Sequence, residues 1–276
     1  MGLTFNDVAK TNPNDVLLVD SLNLAFRYKH ANKPDFGVDY LRTVQSLASS
    51  YKCGKVIILA DEGHSSFRKN IYPEYKQNRK DKYELQTQEE KDTFAEFFVD
   101  FKKTLELLKT NFTVLQFKNV EADDLAGYLV KHKKKFNFNK IWLASSDKDW
   151  DLLVSENVSR FSYVTRRETT LENWYEHYEF SPEDYVGIKA LMGDSGDNIK
   201  GIEGIGPKRA TSLIENYGGI FDLLDSVPLP GKQKFIKSLN DNVDIIQLNL
   251  QLVDILTYCE DAIGQENMEE INLCLK

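Results

Sequence analysis

Hydrophobic and polar positions follow two different periods along the front half of the chain. Short, mainly apolar runs typical of buried parallel strands lie at 16–19, 56–60, 113–117 and 141–144. Helical periodicity fills the intervals, near 38–51, 88–109 and 122–135. This β–α–β–α rhythm predicts an α/β fold with a mostly parallel central sheet flanked by helices.

The back half of the chain has a different pattern. From about residue 182 the sequence is helical, with Gly and Pro punctuation at 218–219 and 228–231. We therefore expect two parts, an α/β core over 1–181 and a helical region over 182–276. The first 14 residues are expected to form a loose leader.

Acidic side chains follow all four predicted strands. In strand order they are Asp20, then Asp61, then Glu121 with Asp123 and Asp124, then Asp147 with Asp149. Because ligands of open α/β sheets bind beyond the carboxyl ends of the strands, these acids should meet in one anionic pocket. Asp194 and Asp197 stand three residues apart among small residues, so both can face the same hard cation.

A pocket this acidic needs compensating cations, because like charges at short range repel one another strongly. Mg²⁺ is the natural partner, since it prefers oxygen ligands and keeps several waters. Two such ions about 4 Å apart activate a water and stabilise the leaving oxygen of a phosphodiester. Taken singly, each acid also has an ordinary explanation as a helix-terminal or turn-capping residue. Repetition at four strand ends favours the shared metal site.

The net charge of −8 argues at first against a nucleic-acid partner, because phosphate backbones attract cationic surfaces. The chain holds 43 acidic and 35 basic residues, and the nine acids named above are predicted metal ligands. Without them, 34 acidic residues face 35 basic ones, a balance of +1. The distribution of charge therefore leaves nucleic acid open as a substrate.

Two basic segments are candidates for binding phosphate. Residues 67–83 interleave Lys and Arg with Tyr, a pattern that suits single-stranded DNA but also describes a solvated helix face. The glycine-rich segment 201–210 ends in Lys208 and Arg209 and can offer backbone N–H groups and positive charge to a phosphate. A carboxylate metal site beside such segments predicts a nucleic-acid phosphodiesterase.

The composition and the apolar runs indicate in which compartment the protein is expected. No apolar run approaches the ~18 residues that span a membrane, and no signal-peptide pattern opens the chain. The three cysteines have no metal-ligand spacing and are expected to be reduced thiols. We therefore expect a cytoplasmic protein with no membrane partner.

Specific motifs run in order along nearly the whole chain. They are Val19–Leu24, Glu74–Arg79, Val120–Asp124, Ser146–Asp151 and Gly193–Ala210. Together they resemble the motifs of the 5′-nucleases or flap endonucleases, which also act as 5′–3′ exonucleases, and in particular the stand-alone phage enzymes of the T-odd coliphage type. Gln77 stands where that family usually has Gly, and Lys148 where a small residue is common, but neither change removes a catalytic group.

The resemblance implies a PIN-like nuclease core that binds two Mg²⁺ ions, with Mn²⁺ as an alternative metal. The ligands that it implies for the first ion are Asp20, Asp61, Glu121, Asp123 and Asp124. Those that it implies for the second ion are Asp147, Asp149, Asp194 and Asp197.

The resemblance also implies a helical arch over about 66–108, whose Lys76 and Arg79 act in catalysis by offsetting charge in the transition state. Tyr75 would stack on a base near the cut, and Arg27 and Lys29 would contact phosphates. A helix–hairpin–helix element over about 198–217 would grip duplex DNA, often with a K⁺ held by loop carbonyls. The DNA-binding residues implied there are Gly204, Gly206, Lys208 and Arg209.

The implied reaction is hydrolysis of DNA with a 5′ single-stranded end or flap, near the junction with duplex, leaving a 5′-phosphate and a 3′-hydroxyl. The resemblance also implies a monomer, located in the host cytoplasm if the protein is phage-encoded. Two other functions stay open. A PIN-type metal-dependent ribonuclease would share the strand-end acids but normally lacks the basic arch and the hairpin. A non-catalytic DNA-structure-binding protein would keep the hairpin but has no use for nine clustered acids.

Overall fold

A six-stranded sheet forms the centre of the molecule, for which the computed structural model describes residues 11–275. The strands are β1 (Asn12–Asp20), β2 (Cys53–Glu62), β3 (Thr113–Lys118), β4 (Ile141–Ala144), β5 (Val158–Ser162) and β6 (Arg167–Thr169). Their order across the sheet is β3–β2–β1–β4–β5–β6. β6 is antiparallel to β5, and every other neighbouring pair is parallel.

The central strand β1 is buried on both of its faces, as expected within a parallel sheet. Val16, Leu17, Leu18 and Val19 are all fully buried. Val16 and Leu18 join one hydrophobic cluster whereas Leu17 and Val19 join another, because successive side chains of a strand point to opposite faces. A helical layer on each side of the sheet therefore accounts for the unbroken apolar run.

Helices cover both faces of the sheet and build a second region beyond it. Their bounds are α1 (Ser21–His30), α2 (Gly37–Ser50), α3 (Ser66–Ile71), α4 (Gln77–Glu84), α5 (Gln88–Lys109), α6 (Ala122–Lys131), α7 (Tyr185–Met192), α8 (Pro207–Tyr217), α9 (Ile220–Asp225), α10 (Lys234–Asp241), α11 (Val243–Val253), α12 (Cys259–Ile263) and α13 (Gln265–Cys274). Short 3₁₀ helices lie at Lys148–Leu153, Trp174–Glu176 and Pro182–Asp184. Tyr40 of α2 and Phe101 of α5 pack on one face of the sheet. Leu125 of α6, Cys259 of α12 and Ile271 of α13 pack on the other.

Three helices, α3 to α5, connect β2 to β3 as an excursion from the sheet. α4 buries none of its side chains, whereas α5 packs Phe97, Phe101 and Leu105 onto the core. α5 begins with a capping box, in which Thr87 Oγ1 accepts from the Glu90 N–H and Glu90 Oε2 accepts from the Thr87 N–H. The excursion is therefore packed at its return to the sheet and exposed in its middle.

Helices α7 to α11 enclose most of a third hydrophobic cluster, here called the helical-region cluster, in which Leu191 and Ile246 are buried. Between α7 and α8 the chain forms a short antiparallel hairpin, β7 (Gly193–Asp194) and β8 (Ile199–Lys200). Asn249 of α11 holds this hairpin, since its Nδ2 donates to the Lys200 carbonyl oxygen at 2.8 Å. The second region thus presents one rigid turn that carries Asp194.

The predicted α/β fold with a mostly parallel sheet is confirmed, and local predictions are corrected. Residues 12–14 belong to β1 rather than to a leader, because the Asn12 N–H donates to the Lys52 carbonyl and Asn12 pairs with Cys53. The first ten residues of the predicted leader lie outside the described part of the chain. α6 ends at Lys131 instead of 135, because the chain turns back and the Phe138 N–H donates to the Lys133 carbonyl. Within residues 11–275, no helix is long and apolar enough to cross a membrane.

Candidate active site at the carboxyl edge of the sheet

The strand-end acids meet at one edge of the sheet because β3, β2, β1 and β4 are neighbours there. Asp20 is the last residue of β1, and Asp61 is the last but one of β2. Glu121 is the N-cap residue of α6, which follows β3, and Asp147 is the N-cap residue of the 3₁₀ helix that follows β4. The parallel order of the strands brings these acids together, as predicted from the sequence.

Several of these acids also cap local structure. Asp20 Oδ1 accepts from the Asn23 N–H at 3.1 Å, and Asp61 Oδ1 accepts from the Ala122 N–H at 2.7 Å. Asp147 Oδ1 accepts from the N–H of Asp149 at 3.0 Å. The ordinary capping role and the shared pocket are therefore compatible, because each capping bond uses one of two carboxylate oxygens.

A cavity of about 120 Å³ collects most of the predicted metal ligands. The carboxylates that line it are Asp20, Asp61, Asp123, Asp147, Asp149 and Asp197. The cationic side chains of Lys76 and Arg79 line the same cavity. All of its charged groups therefore come from the strand ends, from the excursion between β2 and β3, or from the turn after β7.

The three remaining predicted ligands lie around this cavity. Asp194 borders a narrow space that adjoins it, beside Asp149 and Lys189. Glu121 borders a groove of about 650 Å³ on the other side, together with Asp61 and Lys76. Asp124 is completely buried, and both of its oxygens accept from Arg68 at 2.8 Å. Direct contact between Asp124 and a metal ion does not fit this arrangement. Asp124 instead supports Glu121 indirectly, because Arg68 also lies 3.7 Å from the Glu121 carboxylate.

Positively charged side chains separate the carboxylates in this structure. Lys76 Nζ lies 2.9 Å from Glu121 Oε1 and 3.8 Å from Asp197 Oδ2. Lys189 Nζ donates to Asp149 and, at 3.0 Å, to Asp194 Oδ2. Across residues 11–275, no three His, Cys, Asp or Glu side chains converge closely enough to enclose a metal ion as they stand. The ammonium groups supply the charge compensation that the predicted cations would otherwise provide.

Burial and mutual repulsion perturb the carboxyl groups strongly. Burial, with the charge of Asp61 next in size, raises the pKa of Asp20 to about 8. Burial also raises the pKa of Asp149 to about 6, against the opposing effect of Lys189, and raises that of Asp123 well above its ordinary value. At Glu121 burial acts in the same direction, but the charges of Lys76 and Arg68 outweigh it and lower the pKa to about 2. Burial thus opposes ionisation of these carboxyl groups, and the neighbouring lysine and arginine charges favour it.

The donor set fits a pair of hard divalent ions. Every predicted ligand is a carboxylate, the donor type that such ions prefer, and six of the nine line one cavity of about 120 Å³. The cavity also holds no histidine or cysteine that would favour a softer metal.

Sequence reasoning missed two basic residues of the site. Lys189 is a lysine in the otherwise apolar helix α7, five residues before Asp194, and this isolated charge was the available signal. Arg68 is 1 % exposed and joins α3 to α6 through Asp124 and to α11 through the Leu252 carbonyl. Its sequence context gives no indication of these partners.

Tyr75 does not lie where base stacking requires it. Only 2 % of its surface is exposed, and its hydroxyl lies 2.9 Å from Glu121 Oε2 and 3.1 Å from Asp197 Oδ2, so that the two carboxylates share its one proton. The predicted stacking role is therefore corrected to one of support, because the ring packs in the helical-region cluster.

The residues predicted to bind phosphates near the first strand separate in the structure. Arg27 is exposed and lines a surface groove with Arg42 and Arg166, outside the carboxylate cavity. Lys29 instead places its ammonium group 4.4 Å from the ring centroid of Phe94 in α5. Of this pair, Arg27 alone offers its charge freely to solvent.

The glycine-rich segment forms the turn before α8. Gly204 has φ +82°, and a side chain there would meet Phe235, so the turn needs glycine at this position. Gly206 is the N-cap residue of α8, and Lys208 is exposed in the first turn of that helix. The Arg209 guanidinium donates to the Gly204 carbonyl and lies 4.8 Å from the ring of Phe235. Lys208 is thus the freer of the two cations.

Comparison with known proteins agrees with this geometry. Residues 15–179 match the family model described as 5′-3′ exonuclease, N-terminal resolvase-like domain, and residues 180–272 match 5′-3′ exonuclease, C-terminal SAM fold. The chain belongs to the 5′-3′ exonuclease family. Within this family it is 46% identical to the flap endonuclease of Escherichia phage T5 over 93% of this chain and 89% of that protein.

Solved structures show the same family likeness. The T5 5′-exonuclease with bound divalent zinc ions superposes with a TM-score of 0.91 at 45% identity, covering 95% of this chain and 98% of that one. A variant of the T5 flap endonuclease, in a pseudo-enzyme–product complex with DNA and metal ions, gives a TM-score of 0.90 at 45% identity, covering 95% and 97%. The T5 enzyme thus carries divalent ions in one structure and DNA with metal ions in the other.

Replacing Asp20 with asparagine tests the electrostatic cost of the cavity. The pKa of Asp20 is about 8 in the folded protein and 3.8 ordinarily. Between pH 3.8 and pH 8 the folded protein therefore keeps a proton that the unfolded chain has already released. The free energy of unfolding in EDTA should therefore fall as pH rises from 5 to 8. In Asp20→Asn, which keeps the capping acceptor, this fall should be smaller by more than ~1 kcal/mol, measured by urea denaturation. Asp225→Asn, at an exposed carboxylate, is the control, and an equal fall in all three proteins would contradict the prediction.

Proposed function

We propose that this protein is a structure-dependent 5′-nuclease that hydrolyses DNA phosphodiesters near single-strand/duplex junctions. It would act as a 5′-flap endonuclease and 5′–3′ exonuclease and leave a 5′-phosphate and a 3′-hydroxyl. The observation that carries the proposal is the cavity in which six carboxylates from separate elements meet Lys76 and Arg79. Similarity to the phage T5 flap endonuclease supports the same conclusion.

The carboxylates would hold two Mg²⁺ ions, or Mn²⁺ in their place. Asp20, Asp61, Glu121 and Asp123 are the proposed ligands of the first ion, and Asp147, Asp149, Asp194 and Asp197 those of the second. Such a pair of ions supplies an activated water and stabilisation of the leaving oxygen. Asp124 would act indirectly, through Arg68.

Lys76 and Arg79 would act on the scissile phosphate. Lys76 now pairs with Glu121, and Arg79 pairs with Asp197. Once those carboxylates are neutralised by other cations, both side chains are free to donate to the non-bridging phosphate oxygens. There they would offset the charge that develops in the transition state. An interaction that is stronger in the transition state than in the ground state raises the rate of the chemical step, whereas equal binding of both states does not.

Duplex DNA would bind to the helical region 182–276, mainly at the helix–hairpin–helix element 198–217. The N-terminus of α8 presents backbone N–H groups next to Lys208, which suits a phosphate. A K⁺ at the loop carbonyls would compete with Arg209 for the Gly204 oxygen. We expect a monomer that reads the DNA backbone and shape rather than base sequence, in the cytoplasm of the host cell.

Cleavage of one labelled 5′-flap DNA tests the proposed function directly. We expect cutting near the flap junction with Mg²⁺ and none in EDTA, while a matched 3′-flap is spared. Single-stranded RNA is the third substrate. Preferential RNA cleavage would favour a PIN-type ribonuclease instead, and Mg²⁺-independent binding without any cutting would favour a structural DNA-binding protein.

Lys76→Ala should lower the single-turnover cleavage rate by about 100-fold, because one preorganised donor to the transition state is lost. The dissociation constant for flap DNA, measured in Ca²⁺, should change by less than about threefold, since ground-state binding is shared among many phosphates. Lys80→Ala is the matched control, because Lys80 lies exposed on α4, the helix that follows Lys76. Equal losses of rate and affinity would remove the transition-state role.

Lys208→Ala combined with Arg209→Ala should weaken duplex binding and flatten its salt dependence. Each phosphate contact contributes about 0.9 to the slope of log K against log salt concentration, so the slope should fall by up to about 1.8. Lys134→Ala with Lys135→Ala removes the same charge after the end of α6 and should leave the slope unchanged. The measurement is fluorescence anisotropy over a series of KCl concentrations. A slope equal to that of the wild type would exclude a phosphate grip at this turn.

A further inference from the structure

Two segments far apart in the sequence are hydrogen-bonded along their lengths. We call residues 72–79 the arch base and residues 194–198 the carboxylate loop. The Lys76 N–H donates to the Asp197 carbonyl at 2.9 Å, and the Tyr72 hydroxyl donates to the Asn198 carbonyl at 3.2 Å. The arch base carries Lys76 and Arg79, and the carboxylate loop carries Asp194 and Asp197. The relative position of these two segments therefore sets the distances between opposite charges across the cavity.

Asn78 bonds the arch base to the backbone of the carboxylate loop. Its Nδ2 donates to the Ser195 carbonyl oxygen at 2.7 Å and lies 3.4 Å from that of Gly196. Both neighbours are acceptors only, so the amide must face them with its nitrogen. The adjacent Gln77 bonds instead to Asp81 of its own helix.

Asn198 makes the reciprocal bond. Its Nδ2 donates to the Glu74 carbonyl oxygen of the arch base at 2.8 Å. Its backbone has φ +61°, a left-handed conformation that asparagine tolerates better than most residues. This conformation ends the turn and lets Asn198 bond back to the arch base.

We propose that Asn78 and Asn198 form a reciprocal latch that holds the arch base against the carboxylate loop. Both are positioning residues, since each acts through the backbone of the opposite segment. The latch keeps Lys76 and Arg79 in register with Asp194 and Asp197. Its consequence for cleavage rests on the proposed function, but its effect on the two segments does not.

The latch differs in kind from the ion pairs beside it. Arg79 donates to the side chain of Asp197 and Lys76 forms an ion pair with it at 3.8 Å, and the proposed metal ions compete for this carboxylate. The asparagine amides are neutral and bond to backbone carbonyls, which such competition leaves unchanged. The latch would therefore keep the two segments together when the ion pairs rearrange.

Hydrogen exchange of the metal-free protein tests the latch without any cleavage. The variants are Asn78→Ala and Asn198→Gly, since glycine keeps the left-handed backbone at 198 while removing the amide. We expect exchange in the peptides that cover 72–80 and 193–199 to accelerate by about fivefold in either variant, which corresponds to the loss of one hydrogen bond of ~1 kcal/mol. Gln77→Ala is the matched control and should exchange like the wild type. Unchanged exchange in 193–199 for both asparagine variants would overturn the latch.

A double-mutant cycle then tests coupling to cleavage. Single-turnover cleavage of 5′-flap DNA at saturating Mg²⁺ should fall by about fivefold in each single variant, and no further in the double variant, because either change opens the same latch. Thermal denaturation confirms that each variant is folded, and Asn198→Gly carries the test alone if Asn78→Ala does not fold. Multiplying losses in the double variant would overturn the reciprocal arrangement. A wild type that does not cleave, with exchange changed as expected, would remove the proposed function and leave the latch standing.

Discussion

Repulsion among buried carboxylates is the constraint on which this molecule depends. The parallel sheet delivers acids from four neighbouring strands to one edge, and burial removes the water that would otherwise screen them. Cationic groups must then be brought in from elsewhere in the chain. Lys76 and Arg79 come from the excursion between β2 and β3, Lys189 comes from α7, and Arg68 lies behind the cavity at Asp124. Charge compensation therefore explains why segments remote in sequence meet at this edge.

The same compensation links structure to activity. An ammonium group that neutralises a carboxylate of this cavity would lie beside a phosphate bound with the proposed metal ions. The basic residues would thus have two anionic partners, protein carboxylate and substrate phosphate, at nearly the same place. The structures of the T5 enzyme with divalent ions and with DNA are in keeping with such an exchange of partners.

The sequence was sufficient for the four parallel strands β1 to β4 and for the location of the strand-end acids, because apolar runs mark these strands and the acids follow shortly after each run. It did not predict β5 and β6, which complete the six-stranded sheet. It was insufficient for contacts between distant segments. Asp123 and Asp124 are adjacent and look alike, yet one lines the cavity and the other is paired with Arg68, a partner that periodicity does not identify. Tyr75 lies in a basic, polar stretch that favours an exposed ring, but its ring is buried in the helical-region cluster.

The site lies between the two hydrophobic clusters around the sheet and the helical-region cluster. The strand-end acids rest on the clusters around the sheet, whereas Asp194 and Asp197 rest on the cluster of the helical region. A site built across these clusters depends on their docking as well as on the packing within each. Local opening between them would draw Asp194 and Asp197 away from the strand-end acids, so the free energy of that opening sets an upper bound on the stability of the assembled site.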